Sequence, residues 1–129
     1  MKHIKLFESF DSLKPEDILK DIKTVSYIME DDGYDIKYFY NVTQPFSGTR
    51  NVDSDELEGY IEMGHYSRSK IEWNEIKIHI YPESGSDLDK MKVDGDNFMR
   101  LLKEHLDYIT SNKITSWVPK HIYVITIKL

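Results

Sequence analysis

The chain has 129 residues, 40% of them hydrophobic, and no cysteine; this suffices for one domain with its own core and excludes disulfides, thiolate metal sites and cysteine nucleophiles. A formal charge of −6, from 23 acidic and 17 basic residues, opposes the phosphate neutralisation behind nonspecific nucleic-acid binding, so nucleic acid is not the expected partner. No apolar run approaches the ~20 residues of a membrane span and the first residues lack the apolar core of a signal peptide, so a soluble, cytoplasmic protein is expected.

Met1 to Phe10, MKHIKLFESF, reads either as a short strand with Ile4 and Leu6 on one side, or as an arm (residues 1–11) docking Ile4, Phe7 and Phe10. These residues resemble the opening MKxIKLFExF of small proteins from large tailed bacteriophages, a likeness confined to the first ten positions. It implies an accessory protein acting in the cytoplasm of the infected host. In some such phages, N-terminal peptides direct internal proteins to the prohead and are cut after a Leu/Ile-x-Glu tripeptide. Leu6-Phe7-Glu8 fits that tripeptide, and the likeness then implies a component of the virion.

Ser12 to Asp32 reads as a helix, with Pro15, Glu16 and Asp17 in its first turn and Gly33 placed to end it. Its apolar stripe is Ile18, Leu19, Ile22, Val25, Ile28 and Met29. From Tyr34 to Val42 the period falls to two, the signature of a half-buried strand. Thr43 to Glu58 has no period and reads as a long connection, and Gly59 to Ser67 as a short strand weakened by Gly64. In Ile71 to Tyr81 the alternation returns: Ile76, Ile78 and Ile80 face one way, and Lys77, His79 and Tyr81 the other. Glu83 to Val93 reads as a polar, mobile loop. A second helix is expected from Asp94 or Asp96 to Ser111, capped by one of those acids, with Phe98, Leu101, Leu102, His105, Leu106 and Ile109 as its stripe. Asn112 to Lys120, with Trp117 and Pro119, turns the chain into His121 to Leu129.

That last stretch, HIYVITIKL, is apolar on both faces and rich in β-branched residues, which suits an inner strand paired along both edges. The expected fold is therefore a single α+β domain over residues 1–129, with two helices packed on one face of a three- to five-stranded, largely antiparallel sheet. The order is α-β-β(-β)-α-β; an extra N-terminal strand would make it ferredoxin-like, although that fold places its last strand at the sheet edge.

No catalytic, cofactor or metal constellation emerges. His3, His65, His79, His105 and His121 include no pair at helical zinc spacing; His65 with His79 is the one pair that strand pairing would unite. Of the two His-x-Ser/Thr motifs of a 2H phosphoesterase only His65-Tyr66-Ser67 is present, since His79-Ile80-Tyr81 and His121-Ile122-Tyr123 lack the Ser or Thr. Calcium loops counted from Asp87 or Asp94 meet Met91, Lys92 or Phe98 where ligands or glycine belong. Neither Gly48-Thr49-Arg50 nor Ser84-Gly85-Ser86 is a phosphate loop. Double-stranded RNA-binding domains share the helix, three strands, helix order, but their second helix opens with lysines, where Asp94-Gly95-Asp96-Asn97 is expected here.

One feature points to a function. The sheet face away from the helices is expected to carry Lys37, Phe39, Lys77, His79 and Tyr81, an aromatic and charged mixture of the kind found at protein contact surfaces. The expected function is non-enzymatic binding of a host or phage macromolecule, most simply a protein. A virion structural protein and an enzyme of unrecognised type are the alternatives.

Overall fold

The computed structural model describes residues 14–83 and 87–129. Helix α1 (Pro15–Asp31) starts at a proline whose missing N–H costs nothing in the first turn, and the Lys14 amide donates to the Asp17 carboxylate at 3.4 Å. It ends where Gly33 adopts φ +94°, a left-handed conformation that a side chain resists, with the Gly33 N–H donating to the Glu30 carbonyl. Ile18, Leu19, Ile22 and Met29 are buried as the stripe requires. Ser26 joins them fully buried, because its hydroxyl donates to the Ile22 carbonyl at 2.9 Å and leaves no unpaired polar atom.

Strands β1 (Asp35–Gln44) and β3 (Glu72–Tyr81) form where period-two alternation predicts them. Three further elements depart from the expectation. The long connection after β1 contains strand β2 (Gly48–Asp53), joined to β1 through a tight turn with Phe46 at φ 71° and Gly48 at φ 78°. It is an edge strand with Val52 as its only buried residue, so it shows almost no hydrophobic alternation. The stretch expected as a strand from Gly59 is instead helix α2 (Leu57–Glu62), anchored by buried Leu57 and stopped near Gly64 at φ 81°. The segment read as a turn before the last strand holds β4 (Ile114–Trp117), another short edge strand with one inward apolar residue, Ile114.

Helix α3 (Leu88–His105) starts within the stretch expected to be a loop. Asp87 caps it by accepting from the Asp89 amide at 2.8 Å, so Asp94 and Asp96 lie inside the helix and are not its caps. Its first turns carry Lys90 and Lys92, so the acidic opening contrasted with double-stranded RNA-binding domains is not at the helix start; the topology below provides the distinction instead. The last strand, β5 (Tyr123–Lys128), completes the sheet, and short 3₁₀ turns at Arg68–Lys70 and Ser111–Lys113 precede β3 and β4.

Among the described residues the five strands form one sheet in the order β2-β1-β3-β5-β4, with every neighbouring pair antiparallel. β5 is an inner strand, as its two apolar faces require. Because β3 pairs with β1 and not with β2, the sheet is not the simple meander that three successive strands would make. The fold is α+β: α1 packs on β1 and β3, α3 on β4 and β5, and the two helices on each other. The core between them joins Ile22, Phe98 and Leu102 to Ile76, Ile78, Ile80, Tyr123, Ile125 and Ile127. The expected N-terminal strand or arm, with Ile4, Phe7, Phe10 and Leu6-Phe7-Glu8, lies outside the described residues, as does Ser84-Gly85-Ser86.

Candidate interaction surface

Since side chains alternate across a strand, the residues of β1 and β3 that do not enter the core project from the face opposite the helices. The β1–β3 register sets Lys37 against His79, Phe39 against Lys77, and Asp35 against Tyr81. The five residues singled out from sequence thus share one patch. The Phe39 and His79 rings lie 4.7 Å apart between centroids and are tilted by 50°. His79 Nδ1 is 3.4 Å from the Tyr81 hydroxyl, and Lys37 Nζ stands 5.9 Å from the centre of the Tyr81 ring. Lys77 pairs with Glu75 on its own strand at 3.5 Å. Burial lowers the His79 pKa from its ordinary value, and the Lys77 ammonium acts in the same direction. Both effects favour the neutral imidazole, which accepts through one nitrogen and donates through the other.

Strand β4 extends this patch with a residue that sequence reasoning had assigned to a turn. Trp117 pairs in register with Val124, and Val124 with His79, so Lys37, His79, Val124 and Trp117 make one row across four strands. Trp117 is 60% exposed while Val124 is buried. The only sequence signal was the apolar Ile114 three residues before Trp117, too little to mark a strand beside Pro119.

The opposite end of the same face is polar and self-satisfied. Asn41 donates through Nδ2 to Asn51 Oδ1 at 2.7 Å, Asn74 Nδ2 donates to Thr43 Oγ1 at 2.8 Å, and the Thr43 and Thr49 hydroxyls are 2.5 Å apart. These cross-strand bonds tie β2 to β1 and β1 to β3, and leave the aromatic end as the chemically distinct patch.

The acidic residues elsewhere are largely occupied in holding the fold. Asp53 accepts from the Asp55 amide at 2.8 Å ahead of α2. Asp94 accepts from Lys90 and from the Tyr34 hydroxyl, both at 2.7 Å, which lowers its pKa, Lys90 being the larger cause. Asp96 accepts from the Tyr123 hydroxyl at 2.5 Å, and Asp21 from Tyr108 at 2.5 Å. Burial first, and the carboxylate acceptor second, push Tyr34 and Tyr123 each up to about 12.

Among the described residues no three His, Asp or Glu side chains come together to hold a metal ion. His65 and His79 are not a cross-strand pair, since no strand forms at Gly59–Ser67; His65 follows α2, beside Tyr60, and His79 lies on the far face of the sheet. His105 is half-buried in the last turn of α3. No helix of the described residues is long and apolar enough to cross a membrane. No protein-family model, curated protein or solved structure matches the chain.

Proposed function

We propose that the chain is a non-enzymatic binding protein whose sheet face away from the helices engages a protein partner through Phe39, His79, Tyr81 and Trp117, with Lys37 and Lys77 at its charged margin. The observation that carries this reading is the row Lys37, His79, Val124 and Trp117, which ends in a tryptophan 60% exposed at an edge strand. Large rings held on inextensible strands present contact area at little entropic cost, and tryptophan and tyrosine are enriched among residues that dominate binding energy. Protein is favoured over nucleic acid as the partner because the chain carries −6 and its patch has only two lysines, one already paired with Glu75.

The resemblance of the first ten residues favours an accessory protein working on a host or phage protein in the infected cell. A virion component is the second reading, supported by the Leu6-Phe7-Glu8 tripeptide. The experiment is affinity capture from infected cells with wild-type protein and a Trp117→Ala, His79→Ala double variant in parallel, each confirmed folded by circular dichroism. A partner retained by wild type and lost by the double variant is expected. A partner held equally by both refutes the face, and intact mass of the chain from purified virions, with loss of residues 1–8, would transfer the assignment to the virion.

A further inference from the structure

Far from this patch, the tip of the β1–β2 hairpin and the segment after α2 enclose a cavity of about 340 Å³ lined by Gln44, Ser47, Arg50, Tyr60, His65 and Tyr66. Its size falls at the small end of ordinary ligand sites. The chemistry of the lining is one-sided. Arg50 offers a guanidinium, His65 an imidazole, Ser47 a hydroxyl and Gln44 an amide, all able to donate. The Tyr60 hydroxyl is already committed, donating to Glu56 at 2.9 Å, so Tyr60 serves as wall; its ring meets those of Tyr66 and His65 edge-on at 5.7 and 6.2 Å.

Two residues give this cavity most of its donor character. Gln44 is only 9% exposed, yet its side chain makes no hydrogen bond among the described residues. Its amide atoms are not closed off from solvent, so a ligand entering the cavity can accept from the amide N–H groups. Arg50 is the second. Arg68 is neutralised by Glu16 and Glu58, Lys77 by Glu75 and Lys90 by Asp94, whereas Arg50 has no carboxylate within ion-pair distance among the described residues. The β1–β2 register places Arg50 against Val42, and Gln44 against Gly48, on the helix side of the hairpin, so both side chains rise from the same face.

We infer that this cavity binds a small ligand bearing an oxyanion, a phosphate ester or a carboxylate, with Arg50 as the counter-charge and the Gln44 amide as a second donor that fixes its orientation. Arg is suited to this role because its planar fork meets two oxygens of one anion. The chain's net charge of −6 works against diffuse accumulation of anions, so a saturable response here reports local donors.

The test is a ¹H–¹⁵N titration of the full chain at constant ionic strength, with inorganic phosphate in one arm, acetate in a second and chloride alone in a third. Saturable shifts of the Gln44 side-chain amide and the Arg50 Nε–H are expected with phosphate or acetate, the stronger arm identifying the anion, and none with chloride. Arg50→Gln should weaken the response at least tenfold, and Gln44→Leu should weaken it while leaving the rest of the spectrum in place. Arg100→Gln, at a guanidinium elsewhere on the surface, should leave it unchanged. Absence of saturation in both anion arms, equal response in Arg50→Gln, or shifts centred on Lys37 and Lys77 would overturn the assignment.

Discussion

Gly95 sits directly against the ring of Tyr123: a Cβ at position 95 would stand 2.5 Å from two of the ring carbons, closer than real Cβ atoms approach. Tyr123 is 1% exposed and has its hydroxyl tied to Asp96 and Ser116, so the ring has no free direction in which to retreat. The absent side chain in the middle of α3 is what lets the helix lie close on β5. Glycine inside a helix ordinarily costs about 1 kcal/mol relative to alanine. Here the sign is expected to reverse, with Gly95→Ala lowering stability by about 1 to 3 kcal/mol through overpacking. Urea unfolding measures it, and a stabilised variant would show that the ring has room to move.

The same glycine explains why α3 was only half legible. Leu88, Met91, Gly95, Phe98 and Leu102 follow the three-and-four spacing of a buried stripe, but the gap at Gly95 makes the first two look isolated. Asp94 and Asp96 then pass for caps, when both are acceptors for buried tyrosines. α1, β1 and β3 were readable because each buries several residues at a regular period, and β5 because its apolar run is continuous on both faces. β2 and β4 bury one strand residue each on the core side, Val52 and Ile114, and α2 declares itself only through Leu57, Tyr60 and Ile61. The shared face of Lys37, Phe39, Lys77, His79 and Tyr81 was legible from β1 and β3 alone; the place of Trp117 beside it was not, because its strand was not.

Leu102 is wholly buried between α3 and the sheet. Leu102→Ala should cost about 2 to 5 kcal/mol, as a leucine removed from a close-packed site does. Denaturant melts of the variant give the number, and a loss under about 1 kcal/mol would mean that the helix does not press on the sheet there.

Alkaline pH should unfold the protein. Tyr34 and Tyr123 titrate at about 12 when folded and near 10 when unfolded, so the unfolded chain releases its protons first. Their stabilisation is complete below pH 10 and is lost as pH rises from about 10 to 12. Tyr123→Phe removes one such group, so its stability profile should fall less steeply in that window, while at pH 7 it loses about 1 kcal/mol for the hydrogen bond to exposed Asp96. An unchanged alkaline slope would contradict the assignment.

Mild acid acts through His79 with the opposite sign. Its folded pKa lies below the ordinary 6.5, so the unfolded state binds the proton first and stability falls as pH drops below about 6.5. The groups around it on the face are Lys37, Lys77, Glu75 and Tyr81, of which Lys77 adds to the repulsion. His79→Gln should flatten the profile between neutrality and the carboxylate range, as read from thermal melts across pH. A profile identical to wild type would place the imidazole in water.

The central claim is that the aromatic face of the sheet is the binding surface, and the affinity of the captured partner for purified variants tests it most directly. By isothermal titration calorimetry, Trp117→Ala is expected to weaken binding at least tenfold, about 1.4 kcal/mol, with Lys20→Ala on the exposed side of α1 as a control of unchanged affinity. Unchanged affinity in folded Trp117→Ala and His79→Ala proteins, with protection from hydrogen exchange mapping to the helix side instead, would contradict the account.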